Sequence, residues 1–198
     1  MRAFLPTAAT IAAAASAFLP WTAASAAPPP GSGAASSPVR HCVVHLTESG
    51  RVSCYATFTE AINDATNGTI ADAPENARSA VVDKGFNVRL NALATPKGRA
   101  AGIASTVIEI SFEHKDFQGT SLTWEASSGC NDSNDVEWQA ASVSGWWNDQ
   151  ISSFRTYAKC QSDHWEDINF QGISTGYRNT TSYIGNAMND RTSSIKWI

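Results

Sequence analysis

The chain contains one template written twice. Phe112-Glu113-His114-Lys115-Asp116-Phe117-Gln118-Gly119 is matched by Trp165-Glu166-Asp167-Ile168-Asn169-Phe170-Gln171-Gly172. Five residues after each glycine comes a second aromatic, Trp124 and Tyr177. Each copy then ends alike, on Asn148-Asp149-Gln150-Ile151-Ser152-Ser153 and on Asn189-Asp190-Arg191-Thr192-Ser193-Ser194. Phe117 to Asn148 spans 31 positions and Phe170 to Asn189 spans 19, so the first copy carries 12 extra residues, placed in the GCNDSNDVEW region. A duplicated unit of this size cannot bury its own apolar face, and two copies must share a core.

The local pattern is that of strands. VIEISF, SLTW, ISSFRTYA and SSIKWI alternate β-branched or aromatic residues with polar ones, and Gly, Asn and Ser turns separate them. Gly119 and Gly172 suit a tightly folded hairpin, where a positive φ or a close approach is needed. About four strands per copy predict an eight-stranded, two-sheet sandwich.

Aromatic-x4-Phe-x-Gly followed by Asn-Asp-x-x-Ser-Ser, twice and in order, resembles the double signature of the βγ-crystallin domain over about residues 106–198. The resemblance implies an all-β domain in which two Greek-key motifs form one sandwich. In microbial members it goes with calcium binding. Calcium takes about 6–8 hard oxygen ligands, and the loops offer oxygens and no soft donor.

The resemblance also implies the ligands: the fifth-position hydroxyl with the third-position backbone carbonyl, which are Ser152 with Gln150 and Ser193 with Arg191. Backbone oxygen from the aromatic turn of the other copy, near Lys115 or Ile168, would complete each site. Asn148, Asp149, Asn189 and Asp190 either coordinate or shape the loop, and Glu113 and Glu166 are further candidates. The Arg191 cation predicts the weaker site at Ser193, and few carboxylates predict affinities of roughly micromolar to millimolar. The competing reading makes both loops simple Asx and Ser turns.

The rest of the chain is of another kind. Residues 1–26 carry one early cation, Arg2, an Ala-rich apolar run and a closing Ala24-Ser25-Ala26, as in a cleaved signal peptide. Pro6 and Pro20 leave 13 residues between them, too few for the ~20 of a membrane span. Residues 27–40 read as a Pro, Gly and Ser linker. The product is expected to be secreted, with no membrane partner.

Residues 41–105 hold six bases, six acids and no Trp, whereas 106–198 hold six bases, twelve acids and six Trp, which sets a boundary near Ser105. The earlier part reads as a small α/β segment. HCVVHL and RVSCYA flank a Gly50 turn as a hairpin. Thr57 and Glu60 make a capping box for a helix lined by Phe58, Ala61, Ile62 and Ala65, which Asn67-Gly68 stops. Phe86 to Leu90 reads as a strand. His41 and His45 would share one face of the first strand, more in keeping with packing than with a metal.

Cys42, Cys54, Cys130 and Cys160 fit an oxidising compartment. Pairing 42 with 54 and 130 with 160 keeps each bridge local; the alternative is free buried thiols.

A net charge of −4 argues against a nucleic-acid partner. No nucleophile or zinc-hydrolase motif is present, and Asp163, His164, Glu166 and Asp167 read as a solvated turn, so no enzyme is expected. The functional expectation is a secreted calcium-binding domain. The alternative is an antimicrobial or killer-toxin-like protein, or a metalloproteinase inhibitor, meeting a protein or cell-wall target. Trp138, Trp146 and Trp147 would then form a contact loop instead of filling the core. Carbohydrate binding through exposed aromatics is a third idea.

Overall fold

The computed structural model describes residues 40–95, 105–131 and 133–198. The expected signal segment, and the linker up to residue 39, lie outside the described residues. The chain enters through a hairpin, β1 (His41–His45) and β2 (Arg51–Tyr55), whose turn uses Ser49 and Gly50 at positive φ. Cys42 and Cys54 face each other across it and are bridged.

Helix α1 (Phe58–Ala65) follows, with the expected reciprocal Thr57–Glu60 cap and the expected buried face. Two further helices, α2 (Ala77–Val82) and α3 (Lys84–Leu93), start at the side-chain caps Asn76 and Asp83. The strand expected at Phe86–Leu90 is therefore wrong. Phe86, Leu90 and Leu93 are spaced four and three apart, which puts all three on one buried helical stripe.

The duplicated part supplies β3 (Thr106–His114), β4 (Gln118–Ala126), β5 (Trp138–Ala140) and β6 (Ser153–Thr156) from the first copy. The second copy supplies β7 (Ser162–Asp167), β8 (Gln171–Ser174) and β9 (Ser194–Trp197). One sheet runs β2-β1-β4-β3-β6 and the other β5-β9-β7-β8. Strand β5 thus leaves its own copy and pairs with β9 of the other. The exchange is returned by an isolated bridge from Thr181 to Phe154 on β6. Each copy is a Greek key that lends its third strand to its twin.

The eighth strand of the expected sandwich is only this bridge. Residues 175–183 are polar apart from Tyr177 and Tyr183, both exposed, so no apolar set holds a longer strand against the sheet. The duplicated part therefore supplies seven strands, and the hairpin adds two more to the first sheet, because β1 runs parallel to β4. The composition shift near Ser105 coincides with no break in packing. Val107, Ile110 and Phe112 of β3 share one core with Phe58, Phe86 and Leu90 of the helices.

A second core lies between the sheets, around Ile108, Trp124, Phe154, Ile195 and Trp197. Trp147 is buried in it and Trp138 packs on its edge, while Trp146 is 56% exposed. Of the three proposed contact-loop tryptophans, one is free.

Cys130 in the insertion is bridged to Cys160, between the copies. Both expected pairings hold, and the described residues contain no free cysteine. Alkylation of the native protein should label no thiol, and alkylation after reduction should label four. Among the described residues no helix is long and apolar enough to cross a membrane.

An acid and a histidine meet in the inter-sheet core. Glu109 and His164 are both fully buried, with His164 Nε2 3.2 Å from Glu109 Oε1. Ser111 Oγ and Trp197 Nε1 donate to the Glu109 carboxylate at 2.5 and 2.9 Å. Burial alone would push the Glu109 carboxyl up; the charge of His164 and the Ser111 hydrogen bond outweigh it and hold the group below the ordinary carboxylate value. The solvated turn expected around His164 is thus corrected. Asp163 and His164 sit on β7, and the strand alternation turns His164 into the core, stacked on Phe154 at 4.3 Å.

Candidate metal centre

The two copies fold their first motif into the same turn. Asp116 and Phe117 in one, and Asn169 and Phe170 in the other, take positive φ between 55° and 62°. Gly119 and Gly172 follow at 79° and 77°. A Cβ on Gly119 would lie 2.8 Å from Glu113 Oε2, and one on Gly172 would lie 2.9 Å from Asp167 Oδ2. What approaches these glycines is a carboxylate side chain. Gly119→Ala and Gly172→Ala should each lower stability by about 1–3 kcal/mol, read from urea unfolding at constant slope.

Glu113 and Glu166 are occupied in holding these turns. Glu113 Oε2 accepts from the backbone and hydroxyl of Thr120 at 3.2 and 3.1 Å. Glu166 accepts from Ile173 N at 3.4 Å and pairs with Arg191. The Arg191 cation is therefore turned toward a carboxylate of its own copy.

The last serine of each motif pins the turn. Ser153 Oγ donates to His114 O at 2.6 Å and accepts from Phe117 N at 3.1 Å. Ser194 Oγ repeats this with Asp167 O and Phe170 N at 2.6 and 3.0 Å. The first serine does something else. Ser152 Oγ donates to Asp190 Oδ1 at 3.0 Å, and Ser193 Oγ donates to Asp149 Oδ1 at 3.2 Å. Each hydroxyl of one copy thus meets the carboxylate of the other. Backbone bonds run along the same seam, Asp149 N to Thr192 O at 3.1 Å and Asp190 N to Ile151 O at 3.3 Å.

The asparagines orient these carboxylates. Asn148 Nδ2 donates to Asp149 Oδ2 at 2.7 Å, and Asn189 Nδ2 donates to Asp190 Oδ2 at 2.6 Å. Gln150 turns its amide back to Asp149 O at 2.8 Å. Lys115 and Ile168 are exposed on the two turns. The residues after them reach the opposite copy, with Asp116 N bonded to Ser182 O at 2.7 Å and Asn169 N to Ala141 O at 2.8 Å.

The structure therefore brings together Asn148, Asp149 and Ser193 in one cluster and Asn189, Asp190 and Ser152 in another. The sequence led us to expect each site to reach the other copy through turn carbonyls near Lys115 and Ile168, and not through crossed serine–aspartate pairs. Each cluster offers one carboxyl group, one rotatable hydroxyl and amide and backbone oxygens, a donor set that fits calcium and no softer ion. Both carboxylates are on the exposed side of the loops, and both serines are buried beneath them. Among the described residues no group of three or more His, Cys, Asp or Glu side chains is arranged to hold a metal. Any ion here would lean on hydroxyl, carbonyl and water oxygens.

The histidines of β1 form a separate arrangement. His45 lies between Glu125 Oε2 at 3.0 Å and Asp64 Oδ2 at 2.9 Å, and His41 Nδ1 lies 2.8 Å from Ser121 Oγ. They join the first strand to β4 and α1, a packing role.

No family model matches the chain, and no curated protein matches it. Solved structures do. One is a double mutant of clostrillin in complex with nickel, 21% identical, covering 46% of this chain and 98% of that one, with a TM-score of 0.36. A double mutant of a βγ-crystallin domain from Clostridium beijerinckii is 24% identical over 46% of this chain and 97% of that one, with a TM-score of 0.36. A βγ-crystallin domain from Flavobacterium johnsoniae is 26% identical over 46% of this chain and 93% of that one, with a TM-score of 0.34. The observed exchange of strands between the two copies, in two packed sheets preceded by an α/β segment, is the arrangement of paired Greek keys expected from the duplicated template.

Proposed function

We propose that this is a secreted, non-enzymatic protein whose duplicated domain binds two calcium ions and is stabilised by them. The observation that carries the reading is the crossed pair of contacts, Ser152 with Asp190 and Ser193 with Asp149. A calcium ion supplies two positive charges where each cluster has one carboxylate, and it ties two loops from different copies. Ser152 and Ser193 rotate their hydroxyl protons away and present lone pairs. Asp149 and Asp190 supply the charge, and Asn148 and Asn189 hold the carboxylates in place. The pairing of Arg191 with Glu166 supports a second loop whose cation is already compensated. Two disulfides and an apolar N-terminal segment support export.

Calorimetric titration of the chelated protein should give two equivalents of calcium, and the Asp149→Asn/Asp190→Asn variant should give none. No heat up to about 10 mM calcium, beyond the weak end of such sites, overturns the reading.

One observation favours a second reading, an inhibitor or toxin: Trp146 is largely exposed on a short turn, edge-on to Trp147 at 5.2 Å. If so, the protein should inhibit a zinc metalloproteinase at micromolar concentration and Trp146→Ala should relieve it by at least about tenfold. No inhibition of any such enzyme removes this alternative.

A further inference from the structure

The first sheet is longer than the second, and its overhang makes a cleft. Strand β4 of the first copy is flanked by β1, whereas its twin β8 ends its sheet. The inner side of the β1–β2 hairpin therefore continues the sandwich interior past the edge strand β5. The result is a cleft of about 320 Å3, lined by the hairpin, by β4 and by β5 with the segment up to Trp147. That volume is in the range of small-ligand sites. It needs residues 41–55, for which the duplicated sandwich alone gives no use.

The lining has two characters. Val44 and Trp124 form a buried apolar floor, and the apolar surface open to a ligand comes from Val52, 42% exposed, and the partly exposed Leu46. Ser49, Gln139 and Ser142 are neutral hydrogen-bonding residues. No lining residue carries a charge, in a chain with 32 charged side chains. The charges nearest in the turn, Glu48 and Arg51, pair with each other at 2.6 Å.

We propose that this cleft is a binding site for a neutral saccharide. A charged ligand would lose hydration here with no counter-charge to replace it. A purely alkyl ligand would leave the serine and amide groups without partners. A sugar ring has an apolar C–H face and a hydroxyl edge, and it satisfies both kinds of lining. Calcium plays no part in the proposal, so it stands or falls apart from the metal reading.

The test is titration of the intact protein with cellotetraose and with triacetylchitotriose, followed by tryptophan fluorescence and amide chemical shifts. At least one should bind in the high-micromolar to millimolar range. The shifts should gather on Ser49, Val52, Gln139 and Ser142. Val52→Arg from the hairpin and Ser142→Arg from the facing segment, both at exposed positions, should each weaken binding at least about tenfold, with melting little changed. Decyl maltoside is the control for an apolar ligand. No shift with either saccharide up to about 10 mM, binding unaffected by both arginines, or binding that requires the decyl chain would each overturn the proposal.

Discussion

Calcium at about 1 mM should raise the melting temperature of the chelated protein by roughly 10–20 °C if each site has a Kd near 10 µM. A ligand that binds only the folded state at one hundred times its Kd adds about 2.7 kcal/mol, so two independent sites add about 5 kcal/mol. For a folded unit of this size each kcal/mol moves the midpoint by about 2–4 °C. The effect should be large because each cluster joins loops that belong to different copies. Ser152→Ala and Ser193→Ala should each remove about half of the shift, while changing the chelated protein much less. If the affinities are near millimolar, the shift drops to a few degrees and the two variants still halve it. Differential scanning calorimetry with and without chelator checks this, and an unchanged curve leaves only the fold.

Removing the carboxylate of Glu109 should cost about 3–5 kcal/mol. Glu109→Ala removes the carboxylate that faces His164, opens a cavity between the sheets, and strands the Trp197 indole N–H and the Ser111 hydroxyl. Glu109→Gln keeps the shape and an acceptor for the Trp197 indole and should cost less. The pH dependence has a definite sign. The Glu109 carboxyl is held low in the folded state, so its contribution is fully present above the ordinary carboxylate value of 4.5. It is lost as pH falls from there through the lowered folded value. Acid unfolding of the wild type should therefore steepen below about pH 4.5, and Glu109→Gln should flatten that limb. Equal acid limbs in the two proteins would contradict the pairing.

The sequence carried the repeat, because a duplicated template needs no three-dimensional information to be seen. Turn and glycine recurred at fixed offsets, with the Asn-Asp-x-x-Ser-Ser motif following in both copies, and the matching backbone angles at Phe117 and Phe170 follow from that. The capped helix at Phe58 was equally local. What escaped was everything set by long-range register. Nothing local tells β1 to lie parallel to β4. The helical stripe of Phe86, Leu90 and Leu93 is too short to stand out, and it shows itself only once β3 covers it.

The crossed serine–aspartate pairs escaped for the same reason. Ser152 stands three residues from Asp149 and 38 from Asp190 in the chain, yet the strand exchange gives it Asp190. Glu109 could have been flagged as one acid inside an apolar strand. Its partner could not, since Ser162 and not His164 occupies the equivalent position of the second copy.

The central claim is that each calcium site draws its hydroxyl from one copy and its carboxylate from the other. Calorimetric calcium titration of paired variants tests this directly. Ser152→Ala/Asp190→Asn alters one cluster twice and should retain one equivalent. Ser152→Ala/Asp149→Asn alters both clusters and should retain none. The reverse order, with one equivalent kept by Ser152→Ala/Asp149→Asn and none by Ser152→Ala/Asp190→Asn, would mean that each loop holds its own ion, and would contradict the account.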